Sequence, residues 1–289
     1  MMVIYYLLSL FILICITFNE VESARSNSHV HAATQFSLRK VVSGYKSANA
    51  IAISEIYDPS LDAWNVTGSM AETREAHAAT ILNSGKVLVA GGETNTGYMT
   101  HCEIYDPSTG QWSTADSMHT SRAFHTLTLL NSGKVLVTGG TTFGLNTLTS
   151  CEIYDPITDQ WSLTGNMTIA RSSHSATLLK SGKVLVTSVG DTNFLSSCEI
   201  YDPTTGKWNH TNSMTTSRSS HTTTLLSSGK ILSTAGYGGT GYLDTSEIYD
   251  PLTSIWKSSG KLSIKRASHT ATLLHSGKIL ITGGEKIGN

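Results

Sequence analysis

Arg74, Arg122, Arg171, Arg218 and Arg266 each stand three residues before a histidine: His77, His125, His174, His221 and His269. A ring of guanidinium and imidazole groups is chemistry suited to an anion, because Arg offers paired N–H donors to a carboxylate or phosphate. The competing reading is that each Arg pairs with a motif Glu or Asp and ties one unit to the next. A residue that recurs once per unit is more economically a part of the fold. Other chemistry is weaker still. Zinc needs nitrogens about 2.0–2.1 Å away, and equivalent residues around an open ring do not converge so closely. His101, His119, His210 and His275 follow no ligand spacing. A Ser-His-Asp order cannot be singled out where Ser and His are periodic throughout. Gly236 to Gly241 is glycine-rich but lacks phosphate-loop spacing. The residues therefore predict no metal, no cofactor and no catalysis.

The Arg and His belong to a longer ruler. Glu-Ile-Tyr-Asp-Pro begins at Glu55, Glu103, Glu152, Glu199 and Glu247, at spacings of 48, 49, 47 and 48. From Glu to Trp is always 9 residues, Trp to Arg 10, Arg to His 3 and His to Lys 9; only Lys to the next Glu varies, over 17, 18, 16 and 17. A fixed period of this length marks an array of equal supersecondary units. Within one unit, His125 to Leu130 is β-rich, Asn131-Ser-Gly133 is a tight turn, and Lys134 to Thr138 is a second strand. Ser150 to Asp155 is a third strand stopped by Pro156, and Gln160 to Thr164 a fourth. No amphipathic helix of useful length appears. Four short antiparallel strands per period make a propeller blade, the first strand innermost and the Trp packing between blades. The fold class is all-β.

Gly-Gly after an apolar strand, then Tyr, then Trp, resembles the kelch repeat, with Ser188-Val-Gly190 and Ala235-Gly236 as departures. The version Ala-Thr-Leu-Leu-x-Ser-Gly-Lys-Val-Leu-Val-x-Gly-Gly is similar to the extracellular kelch type found beside galactose-oxidase-like propellers. That resemblance implies a binding scaffold, with a copper radical oxidase as the alternative. The copper chemistry would need two Tyr, two His and a Tyr-linked Cys near the axis. Here Tyr57, Tyr105, Tyr154, Tyr201 and Tyr249 are repeat residues on the third strand, and no unique Tyr-His pair stands out. Specificity is expected in the one variable stretch, the loop from second to third strand. Its candidate binding residues are Asn95 and Tyr98, Phe143 and Asn146, Asn193 and Phe194, and Tyr237, Tyr242 and Asp244. Aromatic and amide groups there suit a protein or glycan partner, and these loops open on the face that carries the Arg-x-x-His crossovers.

A net charge of −1 with no Lys/Arg cluster argues against nucleic acid. Val3 to Phe18 is almost wholly apolar and reads as a secretory segment, cleaved after Ser23 or Ala24, so that 1–23 is a signal and 24–289 the propeller. An uncleaved anchor is the alternative; cleavage leaves no membrane span and a secreted chain. Sequons at Asn65, Asn166 and Asn209 agree with export. Cys102, Cys151 and Cys198 each precede the motif Glu, where Ser54 and Ser246 stand in the outer units, so they read as buried thiols. His31 precedes Lys40 by the usual 9 residues, which makes about 29–67 a worn first blade. Two strands follow His269, giving six blades with the last incomplete. The alternatives are five blades closed by pairing Glu55–Trp64 with the C-terminal strands, or a fragment of a larger extracellular receptor.

Overall fold

The computed structural model describes residues 23–26, 29–36, 39–46, 49–50, 52–58, 61–187 and 196–285, those before residue 52 by backbone alone. The apolar N-terminal segment, Ser188-Val-Gly190, Asn193 and Phe194 lie outside the described residues.

Four complete four-stranded sheets follow one another along the chain. The second blade comprises Ala78–Ile81, Val87–Ala90, Cys102–Asp106 and Gln111–Ala115; the third, Thr126–Leu129, Val135–Thr138, Cys151–Asp155 and Gln160–Leu163. The fourth comprises Ser175–Leu178, Val184–Thr187, Cys198–Asp202 and Lys207–Thr211; the fifth, Thr222–Leu225, Ile231–Thr234, Thr245–Asp250 and Ile255–Lys261. The sixth holds Thr270–Leu273 and Ile279–Thr282. Each complete blade is antiparallel in simple chain order. The inner strands pack side by side in series, from His29–Phe36 through the later blades to Thr270–Leu273.

The first blade pairs His29–Phe36 with Arg39–Lys46, then Glu55–Asp58 and Ala63–Val66, with Ser23–Ser26 added on the inner side. The strands of Glu55–Trp64 thus pair with residues just upstream, and the five-bladed closure is not the arrangement adopted. The alignment through Lys40 also needs correction. Glu55 lies opposite Val42, whereas Glu103 lies opposite Val89, so Arg39 takes the place of Lys86. The inner hairpin of the first blade is one residue shorter than the others, Phe36 facing Arg39.

The hairpin turns have a local cause. Leu130 N–H donates to Lys134 O at 2.8 Å, Gly133 N–H returns to Leu130 O at 2.9 Å, and Gly133 adopts φ 82°, which a residue with a Cβ resists. At the outer turn Asp106 accepts Ser108 N–H at 2.9 Å and Oγ at 2.6 Å and meets Lys86 Nζ at 2.9 Å. Those donors hold its carboxyl down at about 2.

The core lies between blades. Val135 and Val137 pack with Leu88, Ala90 and Cys102 of the blade before, while Leu136 turns the other way onto Val184, Val186 and Tyr201 of the blade after. Both faces of the second strand are buried, which explains its unbroken apolar run.

Candidate functional site

Each Arg-x-x-His segment crosses from the outer strand of one blade to the inner strand of the next. Arg74, Arg122, Arg171 and Arg218 have 0% exposure. Their guanidinium groups bond Glu103, Glu152, Glu199 and Glu247 at 2.7, 2.9, 3.0 and 2.9 Å. Arg122 also donates to the carbonyls of Gly139 and Ser150, at 2.7 and 3.0 Å. The Glu carboxylates collect more donors: Glu152 accepts the amides of His119 and Thr120 at 2.8 and 3.1 Å. Burial alone would raise the Glu152 carboxyl, but the His119 amide, the Arg122 charge and the His119 ring outweigh it and hold it below the ordinary range. Burial lowers the Arg122 guanidinium, with the Glu152 charge opposing. These four Arg are turned into their own blade. Arg266 is half-buried and donates to Gly283 O at 2.8 Å.

The histidines tie the crossover back to the preceding blade. His174 Nε2 lies 2.8 Å from Thr138 Oγ1, His221 Nε2 2.8 Å from Thr187 Oγ1, and His269 Nε2 2.9 Å from Thr222 Oγ1. Burial, then the adjacent Arg charge, pushes His174 down to about 3 and His269 to about 4, so the rings are neutral. Just before each His the backbone turns left-handed, at Ala76, Phe124, Ser173, Ser220 and Ser268, with φ of 48–55°. These same peptides form a chain of hydrogen bonds from blade to blade: Phe124 N–H to Ala76 O, Ser173 to Phe124, Ser220 to Ser173, Ser268 to Ser220, at 2.8–3.1 Å.

His125 breaks the pattern. Its preceding blade offers Ala78 and Ala90 where the next offers Thr126 and Thr138, and neither ring nitrogen makes a hydrogen bond among the described residues. Burial and the Arg122 charge hold its pKa well below 6.5, and a polar approach to the Ala90 backbone counters this only in part. Ala90→Thr should supply the missing hydroxyl and stabilise the protein by about 1 kcal/mol. Urea unfolding checks this; a loss of stability would mean that the site has no room for the added atoms.

The repeat aromatics are spoken for. Tyr154 and Trp161 lie 5.1 Å apart, and the Trp161 indole donates 2.9 Å to Asp116 O of the blade before. Trp112, Trp208 and Trp256 do the same to Gly68, Gly165 and Asn212. The Tyr105, Tyr201 and Tyr249 hydroxyls meet Thr67, Thr164 and Thr211 of the preceding blade, each at 2.6 Å. The third blade's predecessor has Ala115 at that place, and Tyr154 donates to Asp159 of its own blade instead. Cys102, Cys151 and Cys198 are free and buried, and burial lifts each thiol to about 12. Among the described residues no three of His, Cys, Asp or Glu gather as a metal would require. Among the described residues the repeat tyrosines bond at the rim and the three thiols lie inside strands.

The sequon asparagines Asn65, Asn166 and Asn209 are exposed at or just after an outer strand. Their threonines have a second employment. Thr67 and Thr211 hold the next blade's Tyr, and Thr168 donates its amide and hydroxyl to Glu199 at 2.8 and 2.6 Å.

The variable stretch is a small hairpin on the crossover face. Glu93–Thr94 pairs with Gly97–Tyr98, Thr141–Thr142 with Asn146–Thr147, and Tyr237–Gly238 with Gly241–Tyr242. Bridges Glu75↔Glu93, Ala123↔Thr141 and Ser219↔Tyr237 fasten each to its crossover. Asn95 and Asn146 are exposed, Tyr98 half-exposed, and Asn146 caps its own turn on Phe143 O at 2.9 Å. Tyr237 and Tyr242 meet edge to face at 5.1 Å, and Tyr242 donates to Glu285 at 3.0 Å. Asp244 is half-buried, its carbonyl accepting Leu262 N–H at 2.7 Å. Phe143 is 81% exposed, and beside it Leu145, a residue outside the repeat motif, is 72% exposed. Its signal was faint: an apolar residue directly after Gly144, in a turn where both take positive φ, 74° and 62°. The structure thus gathers the candidates of three hairpins on one face, but spread over separate blades.

A family model described as the KLHDC2/KLHL20/DRC7 Kelch-repeats domain matches residues 41–217, more than half of the chain. No curated protein matches the chain.

Proposed function

The chain belongs to the kelch-repeat family, and from that membership we propose a non-catalytic, exported scaffold that holds a protein partner on its hairpin face. A kelch-repeat domain is a protein-interaction scaffold. The observation that carries the location is the coincidence of two properties in one element. The stretch between Lys and the next Glu alone changes length, over 17, 18, 16 and 17 residues. Its tip also exposes apolar carbon, at Phe143 and Leu145. Burial of such side chains contributes about 1.5–3 kcal/mol each, and aromatic anchors dominate protein interfaces. Neither residue has a polar handle for a sugar hydroxyl, which favours a protein over a glycan at this hairpin. Export rests on the apolar run Val3 to Phe18 and the exposed sequon asparagines; the mature chain would begin at Ala24.

The test is a capture screen of protein recovered from the medium of a secretory host against recombinant ectodomains and a glycan array. Phe143→Ser with Leu145→Ser should weaken the captured protein partner at least about tenfold without lowering the melting temperature. Capture on glycans alone, or binding indifferent to both changes, would count against the reading.

A further inference from the structure

Asparagine-linked glycosylation accepts only Ser or Thr at the third place of a sequon, and a hydroxyl is what those two share. In this fold each sequon hydroxyl is taken, and always by the blade that follows in the chain. Thr67 Oγ1 lies 2.6 Å from the Tyr105 hydroxyl of the second blade, 38 residues on. Thr168 Oγ1 donates to Glu199 of the fourth blade at 2.6 Å, 31 residues on. Thr211 Oγ1 lies 2.6 Å from the Tyr249 hydroxyl of the fifth blade, again 38 residues on. Main-chain amides of the tripeptides are held too: Thr67 N–H bonds Ser54 O at 3.0 Å, Met167 N–H bonds Thr149 O at 3.0 Å, and Thr168 N–H bonds Glu199 at 2.8 Å. Asn65 and Asn209 stand in outer strands, opposite Ile56 and Ile200. All three Asn are nevertheless exposed. The closed blade has room for a glycan already attached, while the hydroxyl that attachment requires is engaged.

Two of the three sequons fall on one slot of the repeat. The third residue after the blade Trp is Thr67, Ala115, Thr164 or Thr211 in the first four blades, and wherever it is Thr it meets the next blade's Tyr. That Thr is a latch with or without a sequon. Thr164 reaches the Tyr201 hydroxyl at 2.6 Å although an exposed Ser162 stands where the other two blades have Asn65 and Asn209.

We propose that Asn65, Asn166 and Asn209 are glycosylation sites that the propeller closes as it folds: each is open until the following blade docks and takes the Thr hydroxyl. In the transfer the Asn side-chain amide nitrogen bonds to C1 of a glycan carried on a polyprenyl pyrophosphate. The bond from C1 to the pyrophosphate oxygen breaks, the pyrophosphate leaves with that electron pair, and the amide gives up a proton. The chain is therefore modified while it emerges, blade by blade, and the finished propeller keeps its glycans but accepts no more. Use of this window in the cell rests on the export proposed above; the closure rests on the latches alone.

The test makes the chain from Ala24 in two ways. Folded without membranes, it is mixed with purified oligosaccharyltransferase and a lipid-pyrophosphate glycan, beside a peptide of residues 205–215 as the open acceptor. Translated into microsomes behind a foreign signal, it meets the transferase while still emerging. Mass spectrometry should find glycan on Asn65, Asn166 and Asn209 of the microsomal chain and on the peptide. The folded chain should react at least about tenfold more slowly than the peptide, because a site reacts only when its latch opens locally. Ser162→Asn should add a glycan in microsomes and none to the folded chain. Thr211→Ala should remove the Asn209 glycan and lower the melting temperature of the unglycosylated protein by about 2–4 °C, whereas Asn209→Gln removes the glycan and leaves melting unchanged. A folded chain modified as fast as the peptide, a microsomal chain bare at any of the three Asn, or Thr211→Ala without effect on melting would each overturn the proposal. Entry into microsomes behind the foreign signal but not behind the chain's own residues 1–23 would remove the export reading and leave this one standing.

Discussion

Arg122→Met should destabilise the protein by about 3–5 kcal/mol, the cost of leaving a buried carboxylate without its counter-charge. The substitution keeps most of the side-chain volume and removes the donors to Glu152, Gly139 and Ser150. Domains are stable by only about 5–15 kcal/mol, so this one change would take a large share. Two controls sharpen the expectation. Adding Glu152→Leu to Arg122→Met should cost less than the sum of the two single changes, because the orphaned charge goes too. Arg266→Ala should cost under about 1 kcal/mol, since that side chain is half-buried and meets no carboxylate among the described residues. Urea midpoints of the unaltered protein, the two single variants, the double variant and Arg266→Ala decide it.

The same network fixes the response to acid. Glu152, Glu199 and Glu247 have folded pKa values below the ordinary carboxylate range. Their contribution is present above the unfolded pKa and is lost as pH falls through the folded one. The buried histidines act with the same sign. His77 and His174 are pushed down to about 3, so below about pH 6.5 the unfolded chain takes up protons that the folded chain refuses. Each can remove up to about 2 kcal/mol between pH 7 and pH 5. Stability should therefore fall steadily from neutrality toward pH 4, and a flat profile would contradict neutral buried rings.

Trp161→Ala should cost about 3–5 kcal/mol, the range for removing a large buried aromatic. Trp161 is 5% exposed, packs at a tilt against Tyr154 and reaches across to Asp116. It belongs to a cluster drawn from two blades, with Leu82, Leu88 and Met118 on the far side. Its loss opens a cavity at a joint between blades as well as within one. Trp64, 37% exposed and tilted against Tyr57 at 5.3 Å, is the matched control and should cost clearly less. Equal costs at the two positions would mean that the Trp serves its own blade alone.

Much of this was legible because periodicity reports geometry directly. Constant intervals from Glu to Trp to Arg to His required constant strands, turns and crossovers, and the sheets follow that plan. The pairing of Arg with the motif Glu was one of two readings of the sequence; burial of both groups fixed the geometry. What stayed hidden depended on contacts between units. The threonines that hold His174, His221 and His269 are lost in a chain where Thr is common at inner-strand positions. The left-handed residue before each His has no residue signature, being Ala, Phe or Ser. The shortened hairpin of the first blade mimics the usual spacing through Lys40, because Arg39 and Lys40 are adjacent cations. Leu145 carries no signal in the sequence because exposure of an apolar side chain at a turn is decided by backbone conformation.

If the ruler residues build the blades while the hairpins meet the partner, the two sets can be separated by substitution. Partner affinity and thermal unfolding should be measured side by side for Trp161→Ala and for Phe143→Ser with Leu145→Ser. Opposite losses are expected: the first protein melts earlier but binds normally below its transition, and the second melts normally but loses its partner. A hairpin variant that melts early and still binds, or a Trp161 variant that melts normally and fails to bind, would contradict it.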